Sequence, residues 1–379
     1  MQKHLAMFVL YYLRFFAKLQ IAKLKFINPK LKIIGVTGSA GKTSTIEAIV
    51  STLSPKYKIK AISGYNSESG IPLSFLGLKI NGYSPIHWAI IMILAPIMLI
   101  ANWSIYDIII VEMGIDSIKP PKNMDYLLTI VQPEIGIFLS VTPVHLQNFP
   151  NLEAIAKEKA KLINSLPKNG FAIVNPKLIK YINTQATLIK IEQLKTIKNM
   201  PDCYKDTFGA ASIVAKIFGV TPNFKNYVHP PGRFGIFTGK NNTTIIDSTY
   251  NSSPLAAQEF LKYLSTFPKP RIAVLGDMRE LGSATKEEHQ KLLSLAKKSA
   301  DIVIRVGPLV NKYYWELFDY PFPQNATILI KGSQNQVFLE ELVKHLLKNK
   351  SDSKFLCRQT PYWLKLKTNF RKSVGVSTK

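Results

Sequence analysis

Ile33-Ile34-Gly35-Val36-Thr37-Gly38-Ser39-Ala40-Gly41-Lys42-Thr43-Ser44-Thr45 is a short apolar run, a glycine turn, and then a lysine and three hydroxyl side chains. The apolar run predicts a buried strand. Thr45-Ile46-Glu47-Ala48-Ile49-Val50 predicts a helix whose N-terminus points back at the turn. Glycines at 38 and 41 let backbone N–H groups approach a ligand closely, and a helix N-terminus favours negative charge, so the stretch reads as a phosphate cradle. Gly38, Ser39, Ala40, Gly41, Lys42, Thr43 and Ser44 are its candidate contacts, with Lys42 reaching the terminal phosphates and Thr43 helping to hold Mg²⁺. The strict G-x-x-x-x-G-K-[ST] pattern fails at one place, since Val36 stands where the first glycine belongs.

Working outward, 379 residues are enough for two domains of roughly 100 to 200 residues each. The net charge of +25 comes from 42 lysines and only 7 arginines spread along the chain, with no aromatic-interleaved basic motif. Arginine is the side chain that forks onto phosphates and guanine edges, so a nucleic-acid partner is not expected. Attraction to anionic ligands or membrane surfaces accounts for the charge more simply. Cys203 and Cys357 lie far apart outside any C-x-x-C spacing, which points to a reducing compartment and away from zinc.

Residues 1–30 read as a basic amphipathic helix, with Arg14 interrupting its apolar run and no cleavage site after it. Ser84 to Tyr106 carries no acidic or basic residue other than His87 and is long enough to cross a membrane. Crossing there would separate Lys42 from the acidic residue that follows, so a buried helix, or one dipping into the lipid interface, is expected. Peripheral membrane contact through 1–25 and 84–106 is kept as an expectation. Ile108-Ile109-Ile110-Val111 predicts a buried parallel strand ending in Glu112, a natural Mg²⁺ ligand opposite the phosphate turn. His145 follows another strand end, after Ile135 to Val141. Helices are predicted at 151–166 and 208–218. Beyond Pro230-Pro231-Gly232-Arg233 a second strand-and-helix series begins, with strand ends at 271–276, 302–307 and 327–332. The fold class is therefore α/β: a P-loop-containing central parallel-sheet domain at 31–229 and a Rossmann-like C-terminal α/β domain at 230–350. Residues 351–379 read as a basic tail.

These residues resemble the Mur ligases, and within that family the D-alanyl-D-alanine-adding type. Thr37 to Thr43 is similar to the family's phosphate loop, which also lacks the first glycine, and Asn66 to Pro72 resembles its N-x-N-N-x-x-G-x-P. Val111-Glu112-Met113-Gly114 is similar to V-x-E-M-G, and His145-Leu146 to its H-L. Asp247 to Pro254 resembles D-D-S-Y-N-A-N-P, Val274 to Gly282 the V-L-G-D-M-x-E-L-G stretch, and Lys331-Gly332-Ser333 the K-G-S. Each match alone is weak to moderate, but their order across 31–350 makes the set specific.

The resemblance implies a cytoplasmic, monomeric ligase that uses ATP and Mg²⁺ to join a peptide-type carboxylate to an amine through an acyl phosphate. By the same resemblance Lys42, Glu112, His145 and Lys159 are catalytic. Thr43, Glu112, His145 and Lys159 are metal ligands, Lys159 through a carbamate. Arg233, Asp247 and Asn251 contact the nucleotide. Several departures accompany the match. Only about 30 residues precede the phosphate strand, so the family's uridine-nucleotide-binding domain is expected to be absent. Lys161 replaces a glutamate, and Cys203 to Phe208 replaces the H-N-x-x-N-A that meets adenine. The alternatives are a related ligase acting on a lipid-linked or polyglutamate-type substrate, and a non-catalytic nucleotide-binding partner protein. A kinase- or GTPase-like switch is the weaker reading.

Overall fold

A computed structural model describes residues 2–79, 84–143, 148–194, 199–332 and 336–374, which form two compact units. The first draws on Met1–Val141, Asn148–Thr196 and Tyr204–Val228, the second chiefly on His229–Lys379.

In the first unit a long helix α1 (Gln2–Ile27) leads into β1 (Lys32–Thr37), and α2 (Lys42–Leu53) follows the glycine turn. Then come β2 (Ile59–Ile62), α3 (Gly70–Leu76), α4 (Pro85–Ala101), β3 (Ile108–Glu112) and α5 (Met124–Leu128). The unit continues with β4 (Ile135–Phe138), α6 (Leu152–Asn164), β5 (Phe171–Val174), β6 (Thr187–Lys190) and α7 (Cys203–Ile217). The six strands make a wholly parallel sheet in the order β2-β3-β1-β4-β5-β6. β3 and β4 are buried along their whole length, which is why they read as unbroken apolar runs. Val36 pairs with Glu112, so the phosphate turn and the acidic strand end emerge side by side at the carboxyl edge of the sheet.

The second unit contains β7 (Gly235–Thr238), β8 (Thr244–Ser248), α8 (Pro254–Leu264), β9 (Arg271–Gly276), α9 (Thr285–Ser299) and β10 (Ile302–Val306). It ends with β11 (Thr327–Lys331), α10 (Glu340–Leu346) and α11 (Pro361–Ser373). Its sheet runs β10-β9-β11-β8-β7, parallel except for β7, which pairs antiparallel with β8. That edge strand is four half-exposed residues beginning at a glycine, too short and too mixed to stand out in the sequence. α11 lies where no element was predicted. Trp363, Leu366 and Phe370 share one face and pack on the unit's core, a stripe diluted in sequence by the lysines between them. α7 starts five residues before the predicted helix.

α1 packs on the body as well as being amphipathic. Val9 and Leu13 join Leu73 and Leu76 of α3 and Ile91 and Ala95 of α4 in one apolar cluster. Of the two environments expected for 84–106, burial within the protein is not what α4 shows, since it buries only Ile91 and Ala95. Ile86, Ile90, Ile93, Ile97 and Ile100, spaced by four and three, stand exposed along its outer side. Tyr12 donates to the carbonyl of Met92 and Lys23 to that of Leu99, so α1 and α4 run side by side in the same direction.

If α1 is part of this folded unit, Leu13→Ala, at a fully buried position, is expected to cost about 2–5 kcal/mol. Urea unfolding that shows no loss would detach α1 from the core.

Candidate active site

The phosphate turn is built by backbone geometry. Gly41, the residue before α2, has φ 85°, a left-handed conformation that glycine adopts without strain. Gly38 has φ 151°, and a Cβ there would come within 3.2 Å of Leu139 Cβ and of the Ser140 backbone nitrogen. Ser140, just past β4, braces the loop by accepting from Ser39 N–H at 2.8 Å and from Ala40 N–H, through its hydroxyl, at 3.0 Å. Lys42 Nζ donates to the Gly38 carbonyl at 2.9 Å. The first N–H groups of α2, from Lys42, Thr43 and Ser44, have no acceptor within the helix and define its positive end.

Glu112 sits 3% exposed at the end of β3. Thr43 Oγ1 donates to its Oε2 at 2.9 Å and Asn66 Nδ2 to its Oε1 at 3.0 Å, while Lys42 Nζ lies 3.9 Å from Oε1. Asn66 is in turn tied down, its carbonyl accepting from Gly114 N–H at 3.1 Å. Lys42, Thr43 and Glu112, separated by some 70 residues in sequence, thus form one charged cluster.

Lys159 lies on the buried face of α6, 3% exposed. Burial pulls its ammonium down to about 7, and the positive charge of Lys42 adds to this, against the opposing pull of Asp116, Glu112 and Glu158. Lys161 forms ion pairs with the exposed Asp125 at 2.6 Å and the buried Glu158 at 2.7 Å. His145 and Ser333 lie outside the described residues. At the start of α7, Tyr204, Thr207 and Phe208 are buried, and a Cβ at Gly41 would come within 3.7 Å of the Thr207 hydroxyl. Asp206 accepts from Asn175 and Gln193.

In the second unit, Arg233 lies with its guanidinium 4.2 Å from the centre of the Tyr250 ring. Asp247 is fully buried. Its Oδ1 accepts from the Thr249 N–H and hydroxyl, while its Oδ2 has no hydrogen-bond partner among the described residues. Burial raises this carboxyl from 3.8 to about 6, against the hydrogen bonds from Thr249. Lys331, also buried and lowered to about 7, donates to the Asn251 carbonyl at 2.8 Å and to Ser248 Oγ at 3.2 Å.

The Mur ligase middle domain matches residues 36–221, and the Mur ligase, glutamate ligase domain matches 232–318. The chain belongs to the Mur ligase family. Among curated relatives, the UDP-N-acetylmuramoyl-tripeptide--D-alanyl-D-alanine ligase of Escherichia coli K12 is 22% identical, covering 84% of this chain and 77% of its own. Of solved structures, MurF from Acinetobacter baumannii superposes with a TM-score of 0.70 at 20% identity, over 88% of this chain and 80% of its own. MurF from Thermotoga maritima, solved with ADP, gives 0.68 at 23%, over 88% and 83%. At these identities the superpositions establish the fold.

In this Mur ligase the sequence alone overlooked the clamp on the 247–251 loop. Arg358 makes a two-pronged ion pair with Glu340 (2.9 and 3.0 Å) and donates to the carbonyls of Thr249 and Tyr250 at 2.6 and 2.9 Å. Lys367 of α11 backs it with bonds to Glu340, Glu341 and the Arg358 carbonyl. Nothing in the spacing around Cys357-Arg358-Gln359 marks that arginine out, so no sequence signal pointed to the clamp. Asn349-Lys350-Ser351-Asp352 spells N-K-x-D, but Asn349 Oδ1 is engaged in accepting from Ser351 N–H and hydroxyl at the start of the 3₁₀ turn Lys350–Phe355.

Because folded Asp247 keeps its proton to higher pH than an unfolded aspartate, its contribution to stability is present below pH 3.8 and is lost as pH rises through about 6. Asp247→Asn is therefore expected to be more stable than the parent at pH 7, by about 3 kcal/mol. Denaturant melts should show this advantage shrinking toward pH 4; an advantage independent of pH would contradict the assignment.

Proposed function

We propose that this ATP-dependent ligase joins the carboxylate of a peptidoglycan-precursor peptide to D-alanyl-D-alanine or a similar amine. The names of its relatives support that substrate class. The observation that carries the chemistry is the Lys42–Thr43–Glu112 cluster at the mouth of a glycine turn. There a hydroxyl and a carboxylate, two hard oxygen donors, lie 2.9 Å apart beside a lysine and a helix N-terminus. This donor set fits Mg²⁺ on a nucleotide triphosphate.

In the proposed reaction a carboxylate oxygen of the peptide attacks the γ-phosphorus of ATP, the bond to the β-phosphate oxygen breaks, and ADP leaves. The amine nitrogen then attacks the acyl carbon, phosphate departs with the carbon–oxygen electron pair, and the amine loses its proton to solvent. Lys42 and the α2 N–H groups stabilise negative charge on the transferred phosphoryl oxygens. Thr43 and Glu112, with His145 added by family resemblance, would hold Mg²⁺, which neutralises phosphate charge when bound. Lys159, neutral above about pH 7, is in the form that adds carbon dioxide to become a carbamate ligand. By the family resemblance Arg233 and Asp247 serve the γ-phosphate and ribose, and Asn251 is a further nucleotide contact. The same proposal has the chain working as a monomer in the cytoplasm. The exposed apolar face of α4 favours a second reading of the acid, a lipid-linked precursor in place of a soluble one.

Purified protein is expected to release phosphate from ATP only when a precursor peptide and an amine are both present. Lys42→Ala should lower this release about a hundredfold or more. Equal release without an acceptor would refute the ligase reading. In a separate series, the ligation rate should rise with pH through about 7 as Lys159 loses its proton, and Lys159→Met should abolish both the rate and the rise. A parent profile flat across that range would remove Lys159 from the mechanism.

A further inference from the structure

A helix that is apolar on every side belongs inside a protein or inside a lipid layer. α4 satisfies the first half of that rule only at Ile91 and Ala95, and its outward isoleucines are open to solvent, Ile86 at 72%, Ile93 at 65% and Ile100 at 73%. α1 extends the same surface. Tyr12, Phe16 and Lys23 turn toward α4, Arg14 and Lys25 reach Thr129 and Glu134, and Leu5, Phe8, Phe15 and Leu19 are left exposed. The rings of Phe8, Tyr12, Phe16 and Phe15 form a continuous series with centroids 4.8 to 6.3 Å apart, joining the exposed stripe of α1 to the α1–α4 seam. We propose that the outer faces of α1 and α4 together seat this ligase on the surface of an anionic phospholipid bilayer.

Charge selects that occupant. The first acidic residue of the chain is Glu47, whereas Lys3, Arg14, Lys18, Lys23, Lys25 and Lys30 all precede β1, and of these Lys25 is paired with Glu134. Such a segment is drawn to anionic headgroups and repelled by nothing on its own helix. At the C-terminal end of α4, Trp103 is 65% exposed with the Lys23 ammonium 4.0 Å from its ring centre, an amphipathic pair suited to the headgroup level. A second protein copy is the poorer fit. Helical seams set partner and register through charged residues flanking the apolar stripe, and from Ser84 to Tyr106 there is no Asp, Glu, Lys or Arg.

α4 rests in the interface and does not cross. α4 is preceded by α3, whose Leu73 and Leu76 pack against α1, and it is followed after six residues by β3 in the central sheet, so both its ends belong to the same folded unit. The geometry is that of a monotopic protein whose apolar side chains enter the headgroup and upper acyl region.

The test is flotation of the full-length protein with phosphatidylcholine vesicles, with and without phosphatidylglycerol, alongside the variant Ile93→Asp/Ile97→Asp. Melting temperature and ATP binding of both proteins are measured to show that the fold is intact. The parent is expected to float with the phosphatidylglycerol vesicles and to be released as salt rises. The folded variant is expected to lose about tenfold or more of that binding. If the first variant does not fold, Phe8→Ser/Phe15→Ser is read in the same assay. The proposal is overturned if the parent ignores both vesicles, if it floats equally with neutral ones, or if a folded variant floats like the parent. A stable dimer that the substitutions turn into monomers, with no flotation, would also overturn it.

Discussion

A carboxylate held almost dry at the end of a buried strand governs the first unit. Glu112 sits beside an apolar sheet with Thr43, Asn66 and Lys42 gathered around its carboxylate, and each of those partners is there for a structural reason. Lys42 and Thr43 are delivered by the left-handed Gly41, Asn66 by a loop tied to Gly114, and the strand itself by the pairing of Val36 with Glu112. Losing any one of these would leave the buried carboxylate with one polar partner fewer. The cluster therefore fixes the turn, the helix start and the loop together, and the same concentration of charge suits it to nucleotide phosphates and a divalent cation.

The second unit repeats the principle with the signs exchanged. Arg358 is buried at the edge of the core and neutralised by Glu340, and its remaining donors hold the carbonyls of Thr249 and Tyr250. Lys331 holds the same loop from the other end through Asn251 and Ser248. Asp247 and Lys331 are both pushed toward neutrality by burial, so the loop carries weakly charged groups whose state responds near neutral pH. Lys159 is tuned similarly on α6.

The parallel strands were legible because a strand covered on both faces must be apolar at every position, as Ile108 to Val111 and Ile135 to Phe138 are. The phosphate turn was legible because only glycine suits its backbone. β7 and α11 were not, since half-exposed elements carry alternating or lysine-diluted patterns that resemble loops. For α4 the sequence left two environments open, protein interior and lipid interface. Its composition demanded an apolar environment, and nothing in a linear pattern says whether protein supplies it.

By itself the sequence determined the α/β class, the buried parallel strands around the phosphate turn, the turn itself and the family, because these depend on local spacing and on residue types whose chemistry admits few substitutes. Only the tertiary structure decided that Thr43 and Asn66 meet the same carboxylate and that Arg358 clamps a loop more than a hundred residues away. It alone left the isoleucines of α4 facing outward. Those facts are distances between segments remote in the chain. They are set by sheet register and helix packing, which a one-dimensional pattern does not contain.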